Sequence, residues 1–410
     1  MQPELNRISP CRICGASPLR HIFDFLPNPY GDLFDLNCEV ARNLPKHPIS
    51  ISRCDSCKLL QLTHETDLDS QYLEYLYLTG VTNNLSSFYN EIARRYIAEL
   101  SLKKTKHIID LGSNDGAFLR PFLDEGFSVL GVDPSRPAAA TANQAGIQTI
   151  NDYFSNKTVA DIKEMNVEIG LISVNYTLAN VPKVSDFFSN INELAGEETY
   201  VSIVTGYHPE QFLVNMFDYI GHDHLSYFTI GDIDSLAQRF NFKLIDVEKI
   251  EHKGGSVRLL LARPHIQAKS SVFQNLQREK WIGTTSDSGI LEMLSRVDIS
   301  KQQLKSVIAG YKEKLIGGIG ASISTSYLTV HYQITENISV LFDDDPRKKG
   351  RYSPGSGLEV KELATLASEG LDCVVILAWQ HTDKLLNRLK EVGFSGTVLI
   401  PLPILRILEI

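Results

Sequence analysis

The chain has 410 residues, of which 43% are hydrophobic and 22% are charged, a composition typical of a globular protein with more than one domain. Its net charge of -9 and pI near 5.7 argue against the basic surface that nucleic-acid binders usually present. No apolar run approaches the ~18 residues of a membrane span, and the first residues lack the apolar segment of a secretion signal. We therefore expect a cytoplasmic protein that binds neither membranes nor nucleic acids.

Two Cys-x-x-Cys couplets stand near the start of the chain. They consist of Cys11, Cys14, Cys54 and Cys57. Each couplet can present two thiolates to one Zn²⁺ ion, and two couplets complete a tetrahedral set. A site closed by four thiolates is structural, because it leaves no position open for catalysis. The alternative is four free thiols, but paired couplets in a cytosolic chain favour a metal.

The patterning of the chain predicts three domains. Residues 1–70 are loop-rich, and a bound metal would hold such a segment together. Residues 71–268 begin with apolar side chains at helical spacing, and strand-like and helix-like segments then alternate, including a predicted helix over 117–125. Such alternation is typical of crossover units and a parallel sheet. A polar helical connector over 270–300 opens the third domain, 269–410, in which the alternation restarts.

A glycine turn follows the first strand of the second domain, in the order Asp-Leu-Gly-Ser-Asn-Asp-Gly from residue 110. Gly112 permits a close approach of the backbone to a ligand, and Asp133, at the end of the next strand, can accept hydrogen bonds from ribose hydroxyls. The pattern is not G-x-G-x-x-G and demands no pyrophosphate, so it suits the sulfonium nucleoside S-adenosylmethionine. The alternative is that Asp110 and Asp115 only cap a helix. The candidate cofactor-binding residues are Asp110, Gly112, Asn114, Asp133, Asp152 and Asn175.

The segment from Gly221 to Phe228 holds the densest group of titratable side chains. Histidine is the usual general base near neutral pH, and Asp223 could orient an imidazole. In an extended segment, His222 and His224 would share one face while Asp223 points away. A second metal site, or histidines without a role, are the alternatives. Further along, residues 252–258, HKGGSVR, form a predicted turn that runs into a strand. This turn could position its backbone near a ligand, and the alternative is a simple hairpin.

Taken in chain order, several segments resemble the bacterial sugar C-methyltransferases of deoxysugar pathways. These segments are CRICG, CDSCKLLQL, DLGSNDG, GHDHLSYF, HKGGSVR, GGIGASIST and DDDPRKKGRYSPG. The resemblance covers nearly the whole chain and implies an α/β architecture. This architecture has a small zinc-binding N-terminal domain, a central Rossmann-like class I methyltransferase domain and a C-terminal Rossmann-like domain. The substrate, a nucleotide-linked 4-keto sugar carrying TDP, GDP or CDP, would lie between the last two domains of a monomer or small homo-oligomer.

The resemblance also implies roles for individual residues. His224 corresponds to the proposed base, Asp223 to the acid beside it, and Tyr77 to a tyrosine that follows the zinc domain. The candidate catalytic residues are His224, Asp223, His222, Asn180 and Tyr77. The candidate substrate-binding residues are Ser256, Arg258, Gly320, Ser322, Lys349, Arg351 and Tyr352. Apart from the resemblance, the charged run from Asp343 reads as a solvated turn.

Two positions depart from the family pattern. Gly221 stands where the family has a tyrosine before the histidine, and Asn180 stands where it usually has a histidine. The lost tyrosine removes a hydroxyl that could polarise or protonate an enolate, and Asn180 or His222 could stabilise the enolate oxygen instead. We predict methyl transfer to carbon with His224 as base. O- or N-methylation, and a silent protein that only binds cofactor and sugar, are the alternatives.

Overall fold

The computed structural model describes residues 6–7, 10–65, 68–74, 78–81, 83–311 and 314–410. Tyr77, one of the predicted catalytic residues, lies outside these ranges. The strands are β1 Asn6–Arg7, β2 Arg20–Asn28, β3 His47–Arg53, β4 Leu60–Leu62, β5 His64–Glu65, β6 His107–Leu111, β7 Val129–Val132, β8 Thr149–Ile150, β9 Ile169–Asn175, β10 Tyr200–Gly206, β11 Ser226–Tyr227, β12 Lys243–Ile250, β13 Ser256–Ala262, β14 Ile316–Ile319, β15 Val340–Asp343, β16 Val360–Glu362, β17 Cys373–Ile376, β18 Thr397–Ile400 and β19 Arg406–Glu409.

The helices lie between these strands. The α-helices are α1 Cys38–Arg42, α2 Leu68–Tyr72, α3 Asn83–Glu99, α4 Arg120–Asp124, α5 Arg136–Gln144, α6 Asn156–Glu164, α7 Val184–Leu194, α8 His208–Leu213, α9 Ile230–Arg239, α10 Ser270–Trp281, α11 Asp287–Ile308, α12 Ile323–Tyr332 and α13 Thr382–Glu391. Short 3-10 helices cover Thr79–Val81, Leu178–Asn180, Phe217–Tyr219, His252–Gly254, Gly283–Thr285, Ala309–Tyr311, Thr335–Asn337, Leu363–Glu369 and Trp379–His381. No helix among the described residues is both long enough and apolar enough to cross a membrane.

The central sheet positions the glycine turn. Within the described ranges it has seven strands in the order β12-β13-β10-β9-β6-β7-β8. The strands from β10 to β8 run parallel, and β12 and β13 form an antiparallel edge. The chain leaves β6 in one direction toward β7 and later returns on the other side as β9. Ligands of such sheets bind at this switch point, outside the carboxyl ends of the strands.

The N-terminal module, residues 10–65, contributes strands to a four-stranded antiparallel sheet, as far as the structure describes it, in the order β11-β4-β3-β2. Its outer strand β11 comes from the central domain and pairs with β4 through Ser226 opposite Gln61 and Tyr227 opposite Leu60. The strand that directly follows the histidine segment is therefore held by the N-terminal module.

The C-terminal domain is built on a second sheet of six described strands, in the order β16-β15-β14-β17-β18-β19, of which β19 alone is antiparallel to its neighbour. Apolar side chains connect the three parts. Phe25 and Ile51 of the N-terminal module share a core with Leu328 of α12, while Leu59 shares another with Ile172 of the central sheet. The N-terminal module is thus packed against both α/β domains.

The architecture confirms the predicted fold class of two α/β domains preceded by a small N-terminal domain. Some local predictions need correction. The helix predicted over 117–125 spans only Arg120–Asp124, because a turn precedes Pro121, which suits a first helical turn. Residues 221–224 form a turn, closed by a 3.0 Å hydrogen bond from the His224 amide to the Gly221 carbonyl, and not an extended segment. The boundaries at 70 and 268 stay a prediction.

Candidate active site

A cavity of about 880 Å³ lies where the three parts of the chain meet. The N-terminal module contributes Gly31 and Phe34, the central domain contributes Asn114 and His224, and the C-terminal domain contributes Tyr327. The volume is near the upper end of the ~300–1,000 Å³ usual for ligand pockets. It therefore offers space for a cofactor and a substrate together.

The glycine turn forms one wall of this cavity. Gly112 has a φ of 77°, and a Cβ there would overlap the Thr177 side chain. The Asp133 carboxylate holds the turn, since its Oδ2 accepts the Asn114 amide proton at 2.7 Å and its Oδ1 that of Ser135 at 2.8 Å. Burial raises the pKa of Asp133. Gly112, Asn114 and Asp133 all line the cavity, as predicted for cofactor-binding residues.

Asp110 lies beneath the cavity wall and does not line it. It accepts hydrogen bonds from the Ser173 hydroxyl at 2.6 Å and the Asn175 amide at 3.0 Å, and burial raises its pKa to about 7. Asn175 does line the cavity, and its Oδ1 is buried without a hydrogen-bond partner among the described residues. A buried acceptor without a partner suits an amino group of a ligand, and Asp110 positions the side chain of Asn175 that carries it.

Asp152 also stands apart from the cavity wall. Its carboxylate forms an ion pair with Lys157 at 2.6 Å, and this contact lowers its pKa. The neighbouring Tyr153 and Phe154 line the cavity instead. The structure thus places the two residues after Asp152, and not Asp152 itself, on the cavity wall, because the register of the loop after a strand cannot be read from spacing.

His224 is oriented by a backbone carbonyl. Its Nδ1 lies 3.0 Å from the Tyr219 carbonyl oxygen, and its ring stacks on that of Tyr219 at 3.9 Å. A carbonyl can only accept a proton, so Nδ1 carries the hydrogen and Nε2 keeps its lone pair. No described residue hydrogen-bonds to Nε2. Burial lowers the pKa of His224, which keeps the imidazole neutral at pH 7.

Asp223 does not orient His224 in the way that the sequence suggested. Its Oδ1 is 3.6 Å from Nδ1 of His224, which is too long for a hydrogen bond. The Asp223 carboxylate lines the cavity, and its charge raises the pKa of His224 against the larger effect of burial. It therefore acts on His224 through its field and not as a hydrogen-bond acceptor.

His222 has both ring nitrogens engaged. Nε2 lies 3.3 Å from the His47 carbonyl and must donate, so Nδ1 accepts from the Tyr327 hydroxyl at 3.1 Å. Burial lowers the pKa of His222 to about 4. It lines the same cavity as His224, but it has no proton free for an enolate oxygen.

Gly221 makes room for the C-terminal domain. A Cβ at this position would overlap the ring of Tyr327, whose hydroxyl also accepts the His222 amide proton at 3.1 Å. The ring of Tyr327, on α12, thus occupies the space that a side chain at position 221 would fill. This close approach requires glycine.

Asn180 lines the cavity at the end of a 3-10 helix, and its Oδ1 is buried without a partner among the described residues. The preceding residue, Ala179, accepts a hydrogen bond from the Leu225 amide at 2.7 Å. The segment of Asn180 is therefore tied to the histidine turn, and Asn180 offers a polar side chain to the same space.

Not all of the predicted substrate-binding residues line the cavity. Arg351 lines the cavity, together with Arg347 and Lys348, which the sequence did not single out. Arg258 instead pairs with Asp246 at 2.8 Å inside the central sheet, and Lys349 pairs with Glu362 at 2.7 Å on the surface. The remaining four do not line the cavity, namely Ser256, Gly320, Ser322 and Tyr352. Ser256 accepts a hydrogen bond from the hydroxyl of the cavity residue Tyr176 at 3.3 Å, and Tyr352 pairs with Asp35 of the N-terminal module.

The cysteine couplets converge as predicted. The four sulfurs lie within 4.8 Å of one another, and those of Cys11 and Cys57 are 3.4 Å apart. Each couplet turns back on itself, with amide-to-carbonyl hydrogen bonds of 2.9 Å from Gly15 to Cys11 and from Lys58 to Cys54. Zinc–sulfur bonds of ~2.3 Å fit such a cluster of thiolates, and a closed set of four is structural.

Replacing Gly112 by alanine should weaken S-adenosylmethionine binding by about tenfold or more, because the new methyl group displaces the Thr177 side chain, which lines the same cavity. Calorimetric titration with the cofactor measures this. Gly146→Ala is the control, since Gly146 has a φ of 80° but nothing within 4 Å of its Cβ position. It should lose stability and keep its affinity; equal affinities in the two variants would contradict the assignment.

Three family models match the chain in succession. They describe a zinc binding domain over residues 11–72, a methyltransferase domain over 85–247 and a C-methyltransferase C-terminal domain over 251–403. The C-methyltransferase NovU from Streptomyces niveus is 24% identical over 421 aligned positions, which cover 100% of this chain and 99% of NovU.

Solved structures match the methyltransferase region more distantly. The magnesium protoporphyrin IX methyltransferase ChlM from Synechocystis has a TM-score of 0.34 and 13% identity, covering 43% of this chain and 79% of that one. A methyltransferase from Anabaena variabilis has a TM-score of 0.35 and 16% identity, covering 48% and 89%. At such TM-scores neither likeness adds to the argument.

The succession of family models agrees with the converging cysteines and with the glycine turn at the switch point of the central sheet. The chain therefore belongs to the S-adenosylmethionine-dependent C-methyltransferases. In these proteins a zinc-binding domain is followed by a methyltransferase domain and then by a C-methyltransferase C-terminal domain.

Proposed function

We propose that this C-methyltransferase methylates a carbon beside a ketone in a nucleotide-linked deoxysugar, and that His224 generates the enolate. The observation that carries the proposal is the hydrogen bond from Nδ1 of His224 to the Tyr219 carbonyl. This bond leaves Nε2 as a free base on the cavity wall. Carbon methylation of this kind needs a base, because a carbon next to a ketone must lose a proton before it becomes a nucleophile.

The base and the cofactor turn face the same cavity. Gly112, Asn114, Asp133 and Asn175 would hold S-adenosylmethionine, which supplies an electrophilic methyl group when it is bound. Nε2 of His224 takes the proton from the substrate carbon, and the Tyr219 carbonyl stabilises the imidazolium that forms. Enclosure by three domains excludes water and aligns the carbon with the methyl group, the larger part of such catalysis.

The C-terminal wall of the cavity favours an anionic substrate. Arg347 is engaged by Asp345 through two hydrogen bonds of 2.9 and 2.7 Å. Lys348 lies over the ring of Phe34 at 5.2 Å, and Arg351 bonds to backbone carbonyls. Cationic side chains at this wall suit the diphosphate of a nucleotide sugar.

The test is incubation of the protein with S-adenosylmethionine and a thymidine-diphosphate 4-keto-6-deoxy sugar in D₂O, followed by NMR. We expect deuterium to enter beside the ketone and the new methyl group to stand on carbon. A methyl group on oxygen or nitrogen, without deuterium exchange, would contradict the enolate. Cofactor binding without any turnover of keto sugars would contradict the substrate class.

The acid limb of the pH profile should lie below the ordinary histidine pKa of 6.5, because burial lowers the pKa of His224. The imidazole is then deprotonated above that lowered value, and on the acid side kcat/KM falls as the pH drops through it. The profile of kcat/KM against pH measures the limb. An acid limb above pH 7 would show that the essential base is not this imidazole.

A further inference from the structure

Lys253 occupies an unusual backbone position. It lies in the turn between β12 and β13 with a φ of 52° and a ψ of 41°, in the left-handed region. The next residues, Gly254 and Gly255, also have positive φ values of 73° and 118°. A glycine or asparagine would adopt the conformation of Lys253 with less strain. Strain of this kind at a cavity wall is a reason to look for a function of the side chain.

The side chain of Lys253 extends into the cavity. Its Nζ lies 4.0 Å from the centre of the Tyr176 ring, and Tyr176 is itself a cavity residue with a φ of 54°. No described carboxylate forms an ion pair with this ammonium group. The cation is therefore held over an aromatic face, with its N–H groups available to a ligand.

Lys253 and His224 are held by one buried framework. The Gln211 side-chain amide donates to the Lys253 carbonyl at 3.2 Å and interacts with the hydroxyl of Tyr219. The ring of Tyr219 in turn stacks on His224. Met216 fills the space beside Gly254, where a Cβ would overlap its sulfur. The backbone of Lys253 and the ring of His224 are thus tied to the same buried side chains.

Lys253 and His224 also interact electrostatically across the cavity. Lys253 is an exposed residue, but desolvation by the surrounding protein atoms lowers the pKa of its ammonium group to about 8, which Asp223 partly opposes. Lys253 therefore remains largely cationic at pH 7. Its charge also contributes to the lowered pKa of His224, so the two side chains act on each other across the cavity.

We propose that Lys253 donates a hydrogen bond from its ammonium group to the ketone oxygen of the substrate while His224 removes the adjacent proton. This rests on the proposed function. The C–H bonding pair becomes the C=C bond of the enolate, the carbonyl π pair moves to oxygen, and Lys253 stays protonated throughout. When the enolate carbon takes the methyl group, the C=C pair forms the new C–C bond, the S–CH3 pair stays on the sulfur of the departing thioether, and the C=O bond re-forms. The proton on His224 then leaves to solvent.

The other candidates for this role are weaker. His222 has no free proton, since its Nε2 donates to the His47 carbonyl. Asn180 is neutral, and a cation stabilises a developing oxyanion in an enclosed site more strongly than an amide does. Lys253 thus fills the electrophilic role that the sequence left to Asn180 or His222.

The test compares Lys253→Met, Lys253→Arg and Lys253→Gly with the control Lys249→Met, whose lysine lies on the same hairpin and pairs with Glu210. For Lys253→Met we expect kcat and the rate of deuterium exchange to fall together by ~100- to 1,000-fold, with unchanged cofactor affinity. Arginine should restore part of both rates, and Lys249→Met should leave them as in the wild type.

Lys253→Gly separates function from structure. Because glycine relieves the left-handed strain, this variant should melt at the same temperature as the wild type or higher, and should still lose activity as Lys253→Met does. If the wild type turns over and Lys253→Met exchanges deuterium at a rate within about threefold of the wild-type rate, the role of Lys253 is overturned. The proposed function is then unaffected. A wild-type protein that neither exchanges nor methylates keto sugars would overturn the proposed function and this role with it.

Discussion

Replacing His224 by asparagine should lower kcat by ~100- to 10,000-fold, the contribution expected of a general base. In the wild type, Nδ1 of His224 is hydrogen-bonded to the Tyr219 carbonyl at 3.0 Å. The asparagine amide nitrogen can take the place of Nδ1 and keep this hydrogen bond. The basic Nε2 is then absent while the turn keeps its shape. Deuterium exchange beside the ketone should be lost to the same extent as methyl transfer, and both rates are measured in one NMR experiment.

The control for His224→Asn is His265→Gln. His265 is an exposed histidine that faces Glu197 and does not line the cavity. This control variant should exchange and methylate at the wild-type rate. Cofactor affinity should be unchanged in both variants, because His224 is assigned no contact with S-adenosylmethionine. An asparagine variant that still exchanges the substrate proton at the wild-type rate would show that another group is the base.

Replacing Cys54 by serine should remove the zinc, lower the melting temperature and abolish methyl transfer. Structural zinc sites contribute apparent binding free energies of ~10–16 kcal/mol to the folding of small domains, and Cys54 is 1% exposed in the centre of the cluster. Zinc content by mass spectrometry, a thermal melt and turnover measure the three effects. Prolonged treatment of the wild type with a strong chelator should produce the same losses.

The loss of activity is expected because the zinc module holds the catalytic turn. Arg12, inside the first couplet, donates its backbone amide proton to the side-chain oxygen of Gln61 at 3.1 Å. The following residue, Leu62, donates its amide proton to the Leu225 carbonyl at 2.9 Å. Leu225 directly follows His224. A module that unfolds without zinc therefore releases the strand next to the base.

Cys38→Ser is the matched control for the zinc experiment. Cys38 is a half-buried thiol outside the cluster, and it contacts the Gly357 carbonyl at 3.4 Å. This variant should keep its zinc, its melting temperature and its activity. If Cys54→Ser retained full activity after losing zinc, the link from the cluster to the catalytic turn would be wrong.

The sequence by itself determined what depends on local chemistry. Two Cys-x-x-Cys couplets specify a four-thiolate set wherever the chain brings them together, because ligand type decides the metal. The turn at Gly112 and the carboxylate of Asp133 follow from the geometry of a strand–turn–helix unit, which is the same in every parallel sheet. The alternation of strands and helices likewise determined the two α/β domains.

Only the tertiary structure decided which side chains face the cavity and what each can donate or accept. Hydrogen-bond partners far apart in sequence, such as His222 with His47 and Tyr327, left His222 engaged at both nitrogens. The Tyr219 carbonyl assigned the tautomer of His224, and a left-handed turn aimed Lys253 into the site. These outcomes depend on packing between domains, and spacing along one chain carries no information about which residues from separate domains come into contact.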